Sequence, residues 1–141
     1  MAELADPSTK LVLIVDDDKE VRGFLETVLG MEGYQVQTAN SGAEALEKIR
    51  VKVPDLIITD LMMPDVGGYD LLRSLQAEDQ ARVPVIVSTA RRMDASTEEL
   101  IRGESNVVGF LNKPVSLPAL QALLWNVLKV QPRKRERPSG H

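Results

Sequence analysis

Five short strand-like segments, each followed by residues at helical spacing, constrain this chain more than any other feature. Leu11-Val12-Leu13-Ile14-Val15 is unbroken, which suits a strand covered on both faces in a parallel sheet. It stops at Asp16-Asp17-Asp18, after which Val21, Phe24, Leu25, Val28 and Leu29 mark a helix that Gly33 would cap. Residues 34–38 alternate like a half-exposed strand. Ser41 and Glu44 are spaced as a capping box ahead of Leu46 and Ile49, Pro54 breaks that helix, and residues 56–59 read as a third strand. A loop with Pro64, Gly67 and Gly68 leads to a short helix bearing Leu71, Leu72 and Leu75, and Pro84 introduces a fourth strand over 85–88. A fourth helix is expected behind Asp94 or Ser96, with Glu99 completing the cap. Its apolar face amounts to Leu100 and Ile101, so it should be weakly held. Residues 107–111 form the fifth strand, and a last helix over about 116–128 carries Leu117, Leu120, Leu123, Leu124, Val127 and Leu128, with Pro118 tolerated in its first turn.

Strands that alternate with helices imply a parallel sheet between two helical layers, because each parallel pair needs a crossover connection. The expected fold is therefore a three-layer, doubly wound α/β domain. At 141 residues there is room for one such core. The domain is expected over 10–130, with loose ends at 1–9 and 131–141. Hydrophobic residues make up 43% and charged residues 27%, with no run long enough to span a membrane, so disordered and transmembrane classes are excluded. Absence of cysteine removes disulfides, thiolate metal sites and cysteine nucleophiles. The first ten residues lack the basic start and apolar stretch of a signal peptide, which makes a cytoplasmic location the expectation. Net charge is −4, but residues 131–141 contribute +3, which leaves −7 on the body. An acidic body argues against a nucleic-acid surface on this domain.

In doubly wound sheets, ligands bind beyond the carboxyl ends of the strands. There the sequence puts Asp16-Asp17-Asp18 after strand one, Asp60 after strand three, Ser88-Thr89 after strand four, and Asn112-Lys113-Pro114 after strand five. Carboxylates converging from two strands repel unless a cation lies between them, and hard oxygen ligands suit Mg2+, which favours phosphate oxygens. Lys113 could neutralise an anion beside that metal, and the Thr89 hydroxyl could donate to it. Singly, each group reads as a solvated turn or a helix cap; jointly, at one end of one sheet, they describe a phosphoryl-binding site.

The segments LVLIVDDD, PDLIITDLMMPDVGGYDLL, PVIVSTA and GFLNKP, in this order and spacing, resemble the receiver domains of bacterial two-component response regulators, such as the single-domain chemotaxis regulator. The resemblance covers about 10–130 and implies a flavodoxin-like five-stranded sheet in the order 2-1-3-4-5. It also implies that Asp60 accepts a phosphoryl group from a phosphohistidine. Asp17, Asp60 and the backbone carbonyl of Met62 would ligate Mg2+, with Asp16 acting through water. Thr89 matches the switch hydroxyl, Phe110 the aromatic ring that turns on activation, and Lys113 the lysine that pairs with the phosphate, joined to Pro114 by a bond often cis in this family. Met62 and Arg91 stand where the family tunes the lifetime of the phosphate.

By the same resemblance, the partners would be a sensor histidine kinase or histidine phosphotransfer protein, and downstream a protein target, an attached output domain or a second copy of the chain. The first helix, with Val21, Phe24 and Leu25, would dock the kinase. The chain departs from the family pattern in a slightly longer stretch from Thr89 to Lys113 and in Gly103-Glu104-Ser105-Asn106, where small residues are usual. Two other readings remain at this level: a phosphorylation-independent binding module, and a Mg2+-dependent phosphotransferase, for which the sequence shows neither a general acid nor a capping insertion.

Overall fold

The computed structural model describes residues 4–61, 68–77, 82–89, 95–103 and 106–130. Strands β1 (Leu11–Val15), β2 (Gln35–Ala39), β3 (Leu56–Asp60), β4 (Val85–Thr89) and β5 (Val107–Asn112) alternate with helices α1 (Lys19–Met31), α2 (Gly42–Val51), α3 (Gly68–Ala77), α4 (Ala95–Arg102) and α5 (Leu117–Leu128). The sheet is parallel, in the order β2-β1-β3-β4-β5. Every residue of β1, β3 and β4 is buried, as their continuous apolar runs require, whereas the edge strand β2 is half-buried along most of its length.

Side-chain alternation along the strands divides the core in two. Leu13, Val15, Ile57, Val85 and Val87 pack with Ala45, Ile49, Leu71, Leu72, Leu75 and Ile101 from α2, α3 and α4. Val12, Ile14, Leu56, Ile58 and Ile86 pack with Leu25, Leu29, Leu120 and Leu124 from α1 and α5. Gly109 in β5 lets α5 approach closely, since a Cβ there would lie 2.9 Å from Cδ2 of Leu123.

Local chemistry sets the helix ends. Asp18 caps α1 by accepting from the backbone N–H groups of Glu20 and Val21. The helix ends in a Schellman turn: Gly33, at φ 99°, donates to Gly30, and Tyr34 donates to Leu29. The Ser41 hydroxyl accepts from Glu44 N, but the Glu44 carboxylate returns to Asn40 N, one residue earlier than a capping box predicts.

Residues 5–9, expected as part of a loose end, are folded against the domain. Ala5 pairs with Val130 and donates to Lys129 O at 2.8 Å, Asp6 caps a 3-10 turn over Pro7–Thr9, and Gln35 Nε2 donates to Ser8 O. These are mostly backbone bonds, which leave no hydrophobic period to read. The expected stripe of α5 is also narrower: Leu120, Leu124 and Leu128 are buried, while Leu117 is exposed and Trp125 is half-buried against the α1/α5 core. Among the described residues, no helix is long and apolar enough to cross a membrane.

Candidate functional site

Beyond the carboxyl ends of β1 and β3, ligand oxygens of Asp16, Asp17 and Asp60 lie within 4.8 Å of one another, with Asp16 and Asp60 buried and Asp17 exposed. Lys113 reaches across from the end of β5 and bridges the buried pair: its Nζ donates to Asp16 Oδ2 at 2.7 Å and to Asp60 Oδ2 at 3.0 Å. The β1–α1 turn that carries the acids is tied down at several points. Asp16 N donates to Ala39 O, Asp16 Oδ1 accepts from Asp18 N at 2.9 Å, and Arg22 Nη1 donates to Asp16 O at 2.6 Å.

Burial pushes the Asp16 carboxyl above its ordinary range, although its hydrogen bonds from Lys113 and Asp18 pull it down. The Lys113 ammonium is drawn down by burial, yet the bonds and charges of Asp16 and Asp60 outweigh this and lift it above an ordinary lysine. Among the described residues, Lys113 is the cation paired with these carboxylates, and the three acids gather hard oxygen donors at one point. A small divalent cation fits that donor set.

Thr89 is buried at the end of β4, one residue past the register partner of Asp60, and its backbone oxygen accepts from Lys113 N at 2.9 Å. Lys113 and Pro114 are joined by a cis peptide. Phe110 is half-buried against the core formed with α2, α3 and α4; the Arg102 guanidinium sits 4.3 Å from its ring centroid and is itself held by Glu98.

A sequence profile described as the response regulator receiver domain matches residues 12–124. The chain belongs to the response regulator receiver domain family. Its similarity to the transcriptional regulatory protein AfsQ1 of Streptomyces coelicolor is 35% identity over 128 residues, covering 91% of this chain and 53% of that protein. The response regulator MprA of Mycobacterium leprae is 36% identical over 118 residues, covering 84% of this chain and 50% of that protein. This receiver domain thus spans about half the length of those relatives. Among solved structures, a response regulator receiver protein from Pseudomonas putida superposes with a TM-score of 0.76 at 32% identity, covering 86% of this chain and 98% of that one. The Vibrio cholerae chemotaxis protein CheY4 does so with 0.75 at 30%, covering 84% and 98%.

Of the residues singled out in the sequence of this receiver domain, Asp16, Asp17, Asp60 and Lys113 meet at one point, with Thr89 at the neighbouring strand end. Met62 and Arg91 lie outside the described residues, as do Asp94 and positions 104 and 105. Leu25 corrects one expectation: it is 1% exposed in the core between α1 and the sheet, so it offers no docking contact, whereas Phe24 beside it is 45% exposed. Arg22 also contributes to the site, donating to the Asp16 carbonyl, although no pattern in the sequence singles it out. It is a cation early in the first helix, six residues from Asp16, and only the fold turns it back.

Proposed function

We propose that this receiver domain is a phosphorylatable switch in two-component signalling that accepts a phosphoryl group from a phosphohistidine onto Asp60. The observation that carries this reading is the Lys113 ammonium held between two buried carboxylates, Asp16 and Asp60, beside a third, Asp17. In the transfer, an Asp60 carboxylate oxygen bonds to phosphorus while the P–N bond breaks. The bonding pair stays on the imidazole nitrogen, which takes a proton from solvent. Two anions must approach each other, and Lys113 offsets that repulsion as charge spreads over the phosphoryl oxygens. Asp17, Asp60 and the Met62 carbonyl would hold Mg2+, with Asp16 acting through water. When bound, the ion supplies Lewis-acid stabilisation to the phosphoryl oxygens.

The Thr89 hydroxyl follows the new dianion, and Phe110 reports that shift to the surface of α4, β5 and α5, where a protein target, an attached output domain or a second copy of the chain would bind. Met62 and Arg91 set how long the acyl phosphate lasts. The phosphoryl donor is a sensor histidine kinase or histidine phosphotransfer protein in the cytoplasm, and the chain catalyses only its own phosphorylation and dephosphorylation. Residues 10–130 act as the receiver, with 131–141 a basic tail or linker. Intact mass after incubation with acetyl phosphate and Mg2+ tests the reading: one phosphoryl mass is gained by the wild type and lost with Asp60→Asn or without metal. Failure with both acetyl phosphate and a panel of phosphorylated histidine kinases would overturn it in favour of a phosphorylation-independent binding module.

A further inference from the structure

The Arg22 side chain directs its charge at a backbone oxygen, although it lies against an acidic cluster. It leaves the first turns of α1, and its Nη1 donates to the Asp16 carbonyl at 2.6 Å. Side chains on a helix lean toward its amino end, which lets a residue four positions past the Asp18 cap reach back to the end of β1. Among the described residues, Arg22 forms no ion pair. A guanidinium bond to a carbonyl is charge-assisted and stronger than a neutral one. The oxygen that it grips belongs to the peptide joining Asp16 to Asp17.

Asp16 and Asp17 differ in how they are held. Asp16 is fixed by its own bonds: its N–H donates to Ala39 O, its Oδ1 accepts from Asp18 N, and its Oδ2 accepts from Lys113 Nζ. Asp17 is exposed, and among the described residues its carboxylate has no hydrogen-bond partner, so its aim is set by the backbone. On one side that backbone is the α1 cap at Asp18; on the other it is the peptide held by Arg22. We propose that Arg22 is a positioning residue of the acidic site. By holding the Asp16–Asp17 peptide it keeps the Asp17 carboxylate within reach of the oxygens of Asp16 and Asp60, a role that rests on the reading of these acids as a divalent-cation site. Charge alone predicts the opposite effect, since a fixed cation beside the cluster repels a metal ion and its removal would tighten binding. The sign of the change in affinity therefore separates positioning from electrostatics.

The test is Mn2+ binding to the metal-free protein, followed by electron paramagnetic resonance of the free ion, with Mg2+ as competitor. Mn2+ takes the same carboxylate, carbonyl and water oxygens. Arg22→Met removes the donor and keeps most of the side-chain length, and Arg22→Lys keeps a charged donor. Gly109→Ala is a destabilised control, whose added methyl presses on Leu123 of α5. Arg22→Met is expected to bind Mn2+ about 3- to 10-fold more weakly, the worth of one hydrogen bond, with Arg22→Lys between it and the wild type and Gly109→Ala at the wild-type value. Equal or tighter binding by Arg22→Met would overturn the inference. An equal loss in Gly109→Ala would also overturn it, by showing that general loosening of the fold is the cause. If the wild type binds no Mn2+, or Asp17→Asn binds it as the wild type does, the divalent-cation reading itself falls, and the role of Arg22 with it. A loss in Asp17→Asn without one in Arg22→Met refutes the role of Arg22 alone.

Discussion

Replacing Lys113 with methionine removes the cation between Asp16 and Asp60 while keeping most of the side-chain volume. Asp16 and Asp60 are 2% and 6% exposed, and their ligand oxygens lie within 4.8 Å of each other. At that separation and an effective dielectric of about 20, two unit negative charges repel by roughly 3.5 kcal/mol. Taking one partner from a buried ion pair costs about 3 to 5 kcal/mol, so Lys113→Met should lose ~3 kcal/mol of stability near neutral pH without divalent cations. For a domain of this size, that is a fall in Tm of about 10 °C.

The deficit has a pH signature. The Asp16 carboxyl is already raised by burial, and losing Lys113 removes the main influence that holds it down. A carboxyl whose folded pKa exceeds its unfolded value costs no stability below the unfolded value, and that cost grows as pH rises through the folded pKa. The gap between wild type and variant should therefore be small near pH 4 and full near neutrality, by about 3 kcal/mol. Millimolar Mg2+ should shrink it at neutral pH, because an ion between the carboxylates replaces the missing charge. Urea unfolding of both proteins, at acid and neutral pH and with and without Mg2+, measures all of this. A gap below about 1 kcal/mol at neutral pH, or one indifferent to both pH and Mg2+, would refute the reasoning.

Tyr34→Phe should be neutral or stabilising at pH 7, since the buried hydroxyl has no partner, and should also reduce alkaline lability. Burial, aided by Glu32, pushes the Tyr34 phenol up to about 12, so its contribution is intact below its unfolded value and lost as pH rises through the folded one. Unfolding curves of wild type and variant that stay parallel above pH 10 would contradict this. Gly109→Ala should cost about 1 to 2 kcal/mol by pressing on Leu123, and Leu123→Ala should be less destabilising in that background than in wild type. Strict additivity of the two changes would show that they do not touch. Met62→Asn, which supplies an amide able to orient water where the thioether cannot, should shorten the life of the phosphorylated protein several-fold in a phosphate-release assay. An unchanged lifetime would remove Met62 from the tuning role.

The strands, most helix faces and the four charged positions were legible in the sequence because each depends on local periodicity or on a breaker. Uninterrupted apolar runs produced β1, β3 and β4, and Gly33 ended α1 as its freedom at positive φ predicts. Periodicity identifies a stripe but not its centre. Leu25 and Phe24 are neighbours on one apolar stretch, yet one is sealed in the core and the other is open, as only the packing of α1 on the sheet determines. The sequence alone thus determined the kind of fold, and which acids and which lysine would stand at the strand ends. Tertiary structure decided that Lys113 bonds Asp16 and Asp60 across 97 and 53 residues of chain, that Arg22 turns back onto the β1 turn, and that residues 5–9 join the domain. Those contacts depend on distance and burial in three dimensions, which local patterns along a chain do not encode.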